Sequence, residues 1–288
     1  MYNKMIINLF ILSHVLNDFY IQNDVMSRLK RKDSKILLKH SLMFLASAFV
    51  LTLPLIGGYM VLCILILSIS HFIIDYLKIN CEKKFKCELQ IVFFIIDQIL
   101  HIAFIFVLNP LYKRVTLNLA GQKAAVWLHL TYPELEHAQY GNFTSTILFI
   151  SCMLFLINGG TVAVKLFLNL PEQLKDSQAD KKSMQSTHTA KIPANETIQE
   201  TAAANEDRNK SPYKYGEAIG ILERIIIFLF VISSHYESIA FVIAAKSIAR
   251  FRQFRSNDFS DYYLVGTLSS SLIAIILGEL FKLYCKMP

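Results

Sequence analysis

Three times in this chain a histidine and an aspartate stand four residues apart inside an apolar run. They are His14 and Asp18 in "HVLND", His71 and Asp75 in "HFIID", and Asp97 and His101 in "DQILH". On a helix that spacing sets both side chains on one face, with Cβ atoms about 5–6 Å apart. An ionisable residue within a bilayer costs about 2.5–3.5 kcal/mol on insertion scales, so such residues face an interior and act there. Imidazole and carboxylate together suit a divalent metal such as zinc, manganese or iron. Each pair would supply two ligands, or one ligand and the carboxylate that orients it. A metal so held would lower the pKa of a bound water toward about 7 and supply hydroxide for hydrolysis. The same residues also fit a structural network that keeps helices in register, or a relay for protons or cations. Spacing alone leaves all three readings open.

Further polar residues gather around the pairs. Gln22 and Asp24 close the first apolar run, His40 opens the second, Lys78 stands one turn beyond Asp75, and Gln98 adjoins Asp97. At 1.5 Å per residue, His14, His40, His71, Asp75, Asp97 and His101 all fall about 6–18 Å from the same end of their runs. That is the depth of one shared layer. Under the metal reading the three pairs are the ligands, Asp24 is a candidate catalytic residue, and Gln22, His40, Lys78 and Gln98 bind substrate or support the ligands.

Toward the C-terminus, "GEAIGILERIIIF" brings in Glu223, a second candidate general base, beside Arg224. Neighbouring residues on a helix do not face each other, so each needs a partner on another helix. Lys246 and Arg250 share a face and suit an anionic substrate group, a lipid phosphate or Glu223. Snorkelling of their long stems to the interface is the alternative. His129, His137, His188 and His235 are read as lying outside the cluster.

The elements that must position these residues are membrane spans. Of 288 residues, 54% are hydrophobic and 18% charged, against about 25% charged in a soluble domain; mean hydropathy is +0.42. Apolar runs long enough to cross about 30 Å of hydrocarbon as helices recur at about 5–22, 37–54, 57–78, 89–110, 143–169, 217–234 and 262–284, with a shorter one at 237–250 that reads as a half-helix or re-entrant piece. The expected fold is therefore all-α, a polytopic integral membrane bundle of seven or eight spans. With the N-terminus outside, 21 of the 29 lysines and arginines fall on inside loops and six outside, as cytoplasmic loops require. The +7 net charge is thus a topological signal and not a nucleic-acid surface. The first run lacks a small-residue cleavage site and holds His14 and Asp18, so it reads as a helix of the mature protein.

Four regions follow: a four-span His/Asp domain at 1–112, an outer interfacial segment with a fifth span at 113–170, a flexible cytoplasmic linker at 171–214, and a C-terminal helical unit at 215–288. The linker has too few bulky apolar residues to offset the entropy of ordering. Trp127 marks the interfacial segment. The cysteines at 63, 81, 87, 152 and 285 form no C-x-x-C pair and read as reduced thiols.

These residues resemble the bacterial membrane-protein family catalogued as domain of unknown function 3307, whose pattern runs H-x-x-x-D-F-x-x-Q-x-D, a following histidine, H-F-x-x-D-x-x-K, and D-Q-x-x-H. The matches are His14, Asp18, Phe19, Gln22 and Asp24; His40; His71, Phe72, Asp75 and Lys78; and Asp97, Gln98 and His101. The domain would cover about residues 7–110. "GILER", "FVIAAKSIARF" and "YYLVGTL" resemble the companion region of longer members. Where that region carries Gly-Gln before an "AIGF"-like stretch, this chain has "SSHYESIAF". A looser similarity to inner-membrane proteins called metal-dependent hydrolases supports the metal reading by analogy, and the expectation that follows is a bacterial inner-membrane enzyme with a divalent metal acting on a lipid-linked, amphiphilic or anionic substrate.

Overall fold

The computed structural model of the chain describes residues 3–85, 90–123, 126, 140–168, 210–250 and 257–286, and among these there is helix and no strand. Helix α1 (Asn3–Leu16) runs into a π turn (Asn17–Ile21); α2 is Asp24–Leu29, α3 Ser34–Leu51, α4 Gly58–Phe85, α5 Gln90–Val107 and α6 Asn109–Tyr112. Helix α7 (Tyr140–Leu154) passes through a second π turn (Phe155–Gly159) into α8 (Gly160–Leu168). Then come α9 (Lys210–Ile232), α10 (Tyr236–Arg250) and α11 (Asn257–Lys286).

Five helices are long and apolar enough to cross a membrane: Ser34–Leu51, Gly58–Lys84, Gln90–Val107, Phe143–Leu168 and Tyr263–Lys286. The other three expected spans are helical but differ from these. The α-helical part of the first is 14 residues before its π turn, and α9 carries Glu217, Glu223 and Arg224. Helix α10 has 15 residues, about 22 Å at 1.5 Å per residue. Helix α9 also begins at Lys210, inside the expected linker. The rest of that linker, along with Trp127, His129, His137, His188 and Cys87, lies outside the described residues; Cys63, Cys81, Cys152 and Cys285 are free thiols.

The chain forms two compact units, residues 1–159 with 280–288 and residues 160–279. In the first, the polar connections are capped locally. Asn23 accepts from the Met26 amide at 2.8 Å to start α2, and Asp33 accepts from the Lys35 amide at 2.8 Å to start α3, which satisfies donors a helix start leaves open. Beyond Pro110 the chain turns back on the α3–α4 connection. Asn118 donates to the Leu53 carbonyl at 2.8 Å, and a Cβ on Gly121 would stand 2.4 Å from the Pro54 carbonyl oxygen. Only glycine lets these backbones approach so closely.

Each of helices α1, α3, α4 and α5 carries one buried apolar segment and one buried polar segment. Ile6, Ile7 and Phe10 of α1, Phe44 and Ala48 of α3, Met60, Ile64 and Leu67 of α4, and Ile105 of α5 form a continuous core with Tyr112 and Val115. His14, His40, His71 and His101 are buried beside it. Each histidine stands four residues from a core residue on its own helix: Phe10 before His14, Phe44 after His40, Leu67 before His71, and Ile105 after His101. The sign of that offset alternates because the helices alternate in direction, so one end of the bundle is apolar and the adjoining layer polar. The outward faces are the reverse of a soluble protein's: Ile69, Ile99 and Val107 are 59%, 60% and 67% exposed, while the histidines are buried. An apolar rim around a polar interior is the arrangement lipid favours.

Candidate metal centre

The polar layer is assembled from α1, α3, α4 and α5, with one residue from the segment after α2. The π turn that ends α1 closes with the Gln22 amide donating to the Asn17 carbonyl at 3.1 Å. Such a turn inserts one extra residue into a helix, and π turns recur at functional positions. Its first two residues, Asn17 and Asp18, enter the layer together.

Asp18 is the hub. Its Oδ1 lies 3.1 Å from His71 Nε2 and 3.3 Å from His40 Nε2, and its Oδ2 lies 3.9 Å from His14 Nδ1. Two ligands on a tetrahedral ion with bonds of about 2.0–2.2 Å stand roughly 3.4 Å apart, so the first two separations are already those of ligands on one ion. Asp97 Oδ1 and His101 Nε2 are 3.5 Å apart, yet neither makes a hydrogen bond. His71 Nδ1 is likewise buried without a hydrogen-bond partner. Buried donors and acceptors are normally satisfied, so three unsatisfied atoms in one layer mark a site with unused coordinating capacity. Three overlapping triads could hold a metal ion: His14, His71 and His101; Asp18, His40 and His71; and Asp18, Asp97 and His101, each with ligand atoms within 4.8 Å of one another.

Asp75 belongs to none of these triads. Its Oδ2 accepts from Lys30 Nζ at 3.1 Å and lies 3.5 Å from His40 Nε2 and 3.8 Å from His71 Nδ1. That places it behind the His71 ring, where a carboxylate orients a ligating histidine, and beside the same His40 nitrogen that faces Asp18. Asp97 is fixed in the same manner. Its Oδ2 accepts from Lys78 Nζ at 2.9 Å and from the Gln98 amide at 3.2 Å, which leaves Oδ1 turned to the layer. Because Gln98 donates to Asp97, it presents its carbonyl to His14 Nε2 at 3.2 Å. His14 Nε2 thus faces an acceptor, and its Nδ1 faces Asp18.

Two participants went unrecognised in the sequence. Asn17 is fully buried, and its Nδ2 lies 3.3 Å from His40 Nε2 and 3.4 Å from His71 Nε2. Its position three residues after His14, on the same helix face, was the available signal. Lys30 sits in a basic run, where it reads as topology; nothing local marks it as the partner of Asp75. Gln22 is half-buried, with its Oε1 unpaired. The side chains of Asp24 and Arg250 lie outside the described residues.

The second unit holds a separate network. Lys246 pairs with Glu223, and its Nζ stands 5.5 Å from the ring centre of Tyr263. Arg224 is buried and donates to Thr161 Oγ1 at 2.7 Å and Ser270 Oγ at 3.4 Å. A Cβ on Gly160 would stand 3.0 Å from Arg224 Nε. Glu223 and Arg224 thus take different partners, as adjacent helix positions require.

All thirteen motif residues of the first unit fall within the stretch 6–130, which matches the family described as "Protein of unknown function (DUF3307)". That stretch belongs to the DUF3307 family. The DUF3307 match runs past residue 110, where the motifs alone would end it, and so takes in Asn118 and Gly121, the residues that lock the chain against the α3–α4 connection. It ends at residue 130 and leaves α7 to α11 outside. No curated protein and no solved structure matches the chain.

Proposed function

We propose that this is a multi-pass protein of the bacterial inner membrane, with its N-terminus outside and seven or eight spans. On this reading its first four long helices hold a divalent metal, zinc, manganese or iron, in their cytoplasmic half, and the protein hydrolyses a lipid-linked or amphiphilic substrate. The observation that carries the metal reading is the charge and hydrogen-bond state of the layer. Asp75 and Asp97 each have a lysine, whereas Asp18 among the described residues has imidazoles and the uncharged Asn17 amide, which donates to its Oδ1 at 3.3 Å; three atoms of the layer have no hydrogen-bond partner. A buried carboxylate needs a positive charge close by, and a cation bound among the histidines supplies it.

The bound ion would polarise a water and the scissile group. The chain's own residues do the rest. Asp75, held by Lys30, braces the ring of His71, Lys78 and Gln98 aim Asp97 inward, and Asp24 is the candidate base within this unit. A relay across the membrane is supported less well, because Phe10, Phe44, Leu67 and Ile105 close the layer on its far side with an apolar core. The test is metal content of protein purified without added metal, by mass spectrometry. We expect a stoichiometric transition metal in the wild type and its loss in His71→Ala. No metal above background in either would reject the reading.

A further inference from the structure

Six side chains, five of them buried, offer ligand atoms at this site, more than the four a tetrahedral ion takes. The way they group is informative. The triad of Asp18, His40 and His71 and the triad of Asp18, Asp97 and His101 share one member, Asp18. Their other residues come from different pairs of positions: His40 on α3 with His71 on α4, and Asp97 with His101 on α5. The two oxygens of Asp18 face different histidines. Oδ1 faces His40 and His71 at 3.3 and 3.1 Å, while Oδ2 faces His14 Nδ1 at 3.9 Å. His14 lies beside His101 with ring centres 4.7 Å apart and planes tilted by 39°, and His71, 4.3 Å from His101, adjoins both groups.

From this we infer that the site holds two metal ions bridged by the Asp18 carboxylate. The inference rests on the metal reading above and deepens it. One ion sits on His40, His71 and Asp18 Oδ1; the other on His101, Asp97 Oδ1, His14 Nδ1 and Asp18 Oδ2. A carboxylate bridge suits the separation of about 3.5–4 Å found in two-metal hydrolytic centres, where the ions clamp the attacking and leaving oxygens. The competing arrangement is one ion on His14, His71 and His101, with His40 and Asp97 left as neighbours. Two divalent ions against three carboxylates and two lysines leave the centre net positive. The group that closes it is therefore an anion, hydroxide or a phosphate oxygen of the substrate.

Manganese is the probe. Full-length protein in detergent is stripped with a chelator, reloaded with Mn(II) and freed of excess, then assayed for manganese per chain and by electron paramagnetic resonance. We expect two ions per chain and an exchange-coupled spectrum. Asp18→Asn, which cannot bridge two cations as a carboxylate does, should fall to one ion or fewer with the pattern of an isolated ion. His40→Gln tests the same point by a second route: occupancy should fall from two to one while the remaining ion shows that the variant is folded. One ion per chain in the wild type, with an isolated-ion spectrum, overturns the two-ion assignment and leaves the metal reading standing. No ion overturns both.

Discussion

On the proposed metal reading, Asp75 and Lys30 illustrate how a residue outside the ligand set would act on it. The carboxylate faces the outer nitrogen of His71 at 3.8 Å and is itself held by Lys30 at 3.1 Å. Removing such a support usually lowers metal affinity by about 10–100-fold without removing a ligand. Asp75→Asn should therefore bind the same number of ions as the wild type but release them at roughly 10–100-fold lower chelator concentration, measured by competition with a metal-binding dye. Loss of stoichiometry instead would make Asp75 a ligand. Asn17 also operates at this scale. It is the residue that sequence reading passed over, because an asparagine beside an aspartate at the end of a span looks like the start of a polar loop.

At the scale of elements, the two π turns brace each other. Asn158, in the second turn, donates to the Phe19 carbonyl of the first at 2.9 Å. Tyr20, in the first, donates to the Leu154 carbonyl at the entrance of the second at 2.9 Å. Phe19 and Phe155 meet edge to face between them, 5.4 Å apart. Interhelical hydrogen bonds within membranes average about 0.6 kcal/mol and reach about 1.7. Tyr20→Phe and Asn158→Leu should each lower thermal stability in detergent by that order, and because Asp18 lies in the braced turn, both should also weaken metal retention. A control substitution that lowers stability equally without touching the turn should leave retention unchanged. The α9–α10 turn makes a different prediction. Ser234 has φ of 63°, and the His235 amide donates to the Phe230 carbonyl at 2.8 Å, a helix end that favours glycine. The left-handed conformation costs a residue with a Cβ about 1–2 kcal/mol, so Ser234→Gly should raise the melting temperature.

For the whole molecule, orientation is the property that loop charge predicts and a cysteine scan can check. In a background without native cysteines, Lys84→Cys should be labelled by a membrane-impermeant maleimide only after the cytoplasmic face is opened, and Lys113→Cys in intact spheroplasts. The reverse pattern would put the His/Asp layer on the outer side and remove the cytoplasmic access proposed for its substrate. Five helices satisfy span length and apolarity by themselves. The remaining three are short or carry ionisable groups, which is where function and hydropathy pull in opposite directions. His14 and Asp18 interrupt the first run, Glu223 and Arg224 the sixth, and α10 is too short for the full hydrocarbon thickness. Much of the site was legible before any coordinates, because a bilayer makes buried imidazoles and carboxylates conspicuous and i,i+4 spacing puts them on one face. Local spacing determined the helices, the polar layer and the identity of the paired residues, since each depends on contacts within a turn or on transfer from water to lipid. Which carboxylate is a hub and which a support, that Lys30 reaches Asp75 across 45 residues, and that Asp18 stands between two sets of donors were decided by tertiary packing alone. Those are distances between helices, and no periodicity along one helix encodes the rotation at which it meets the next.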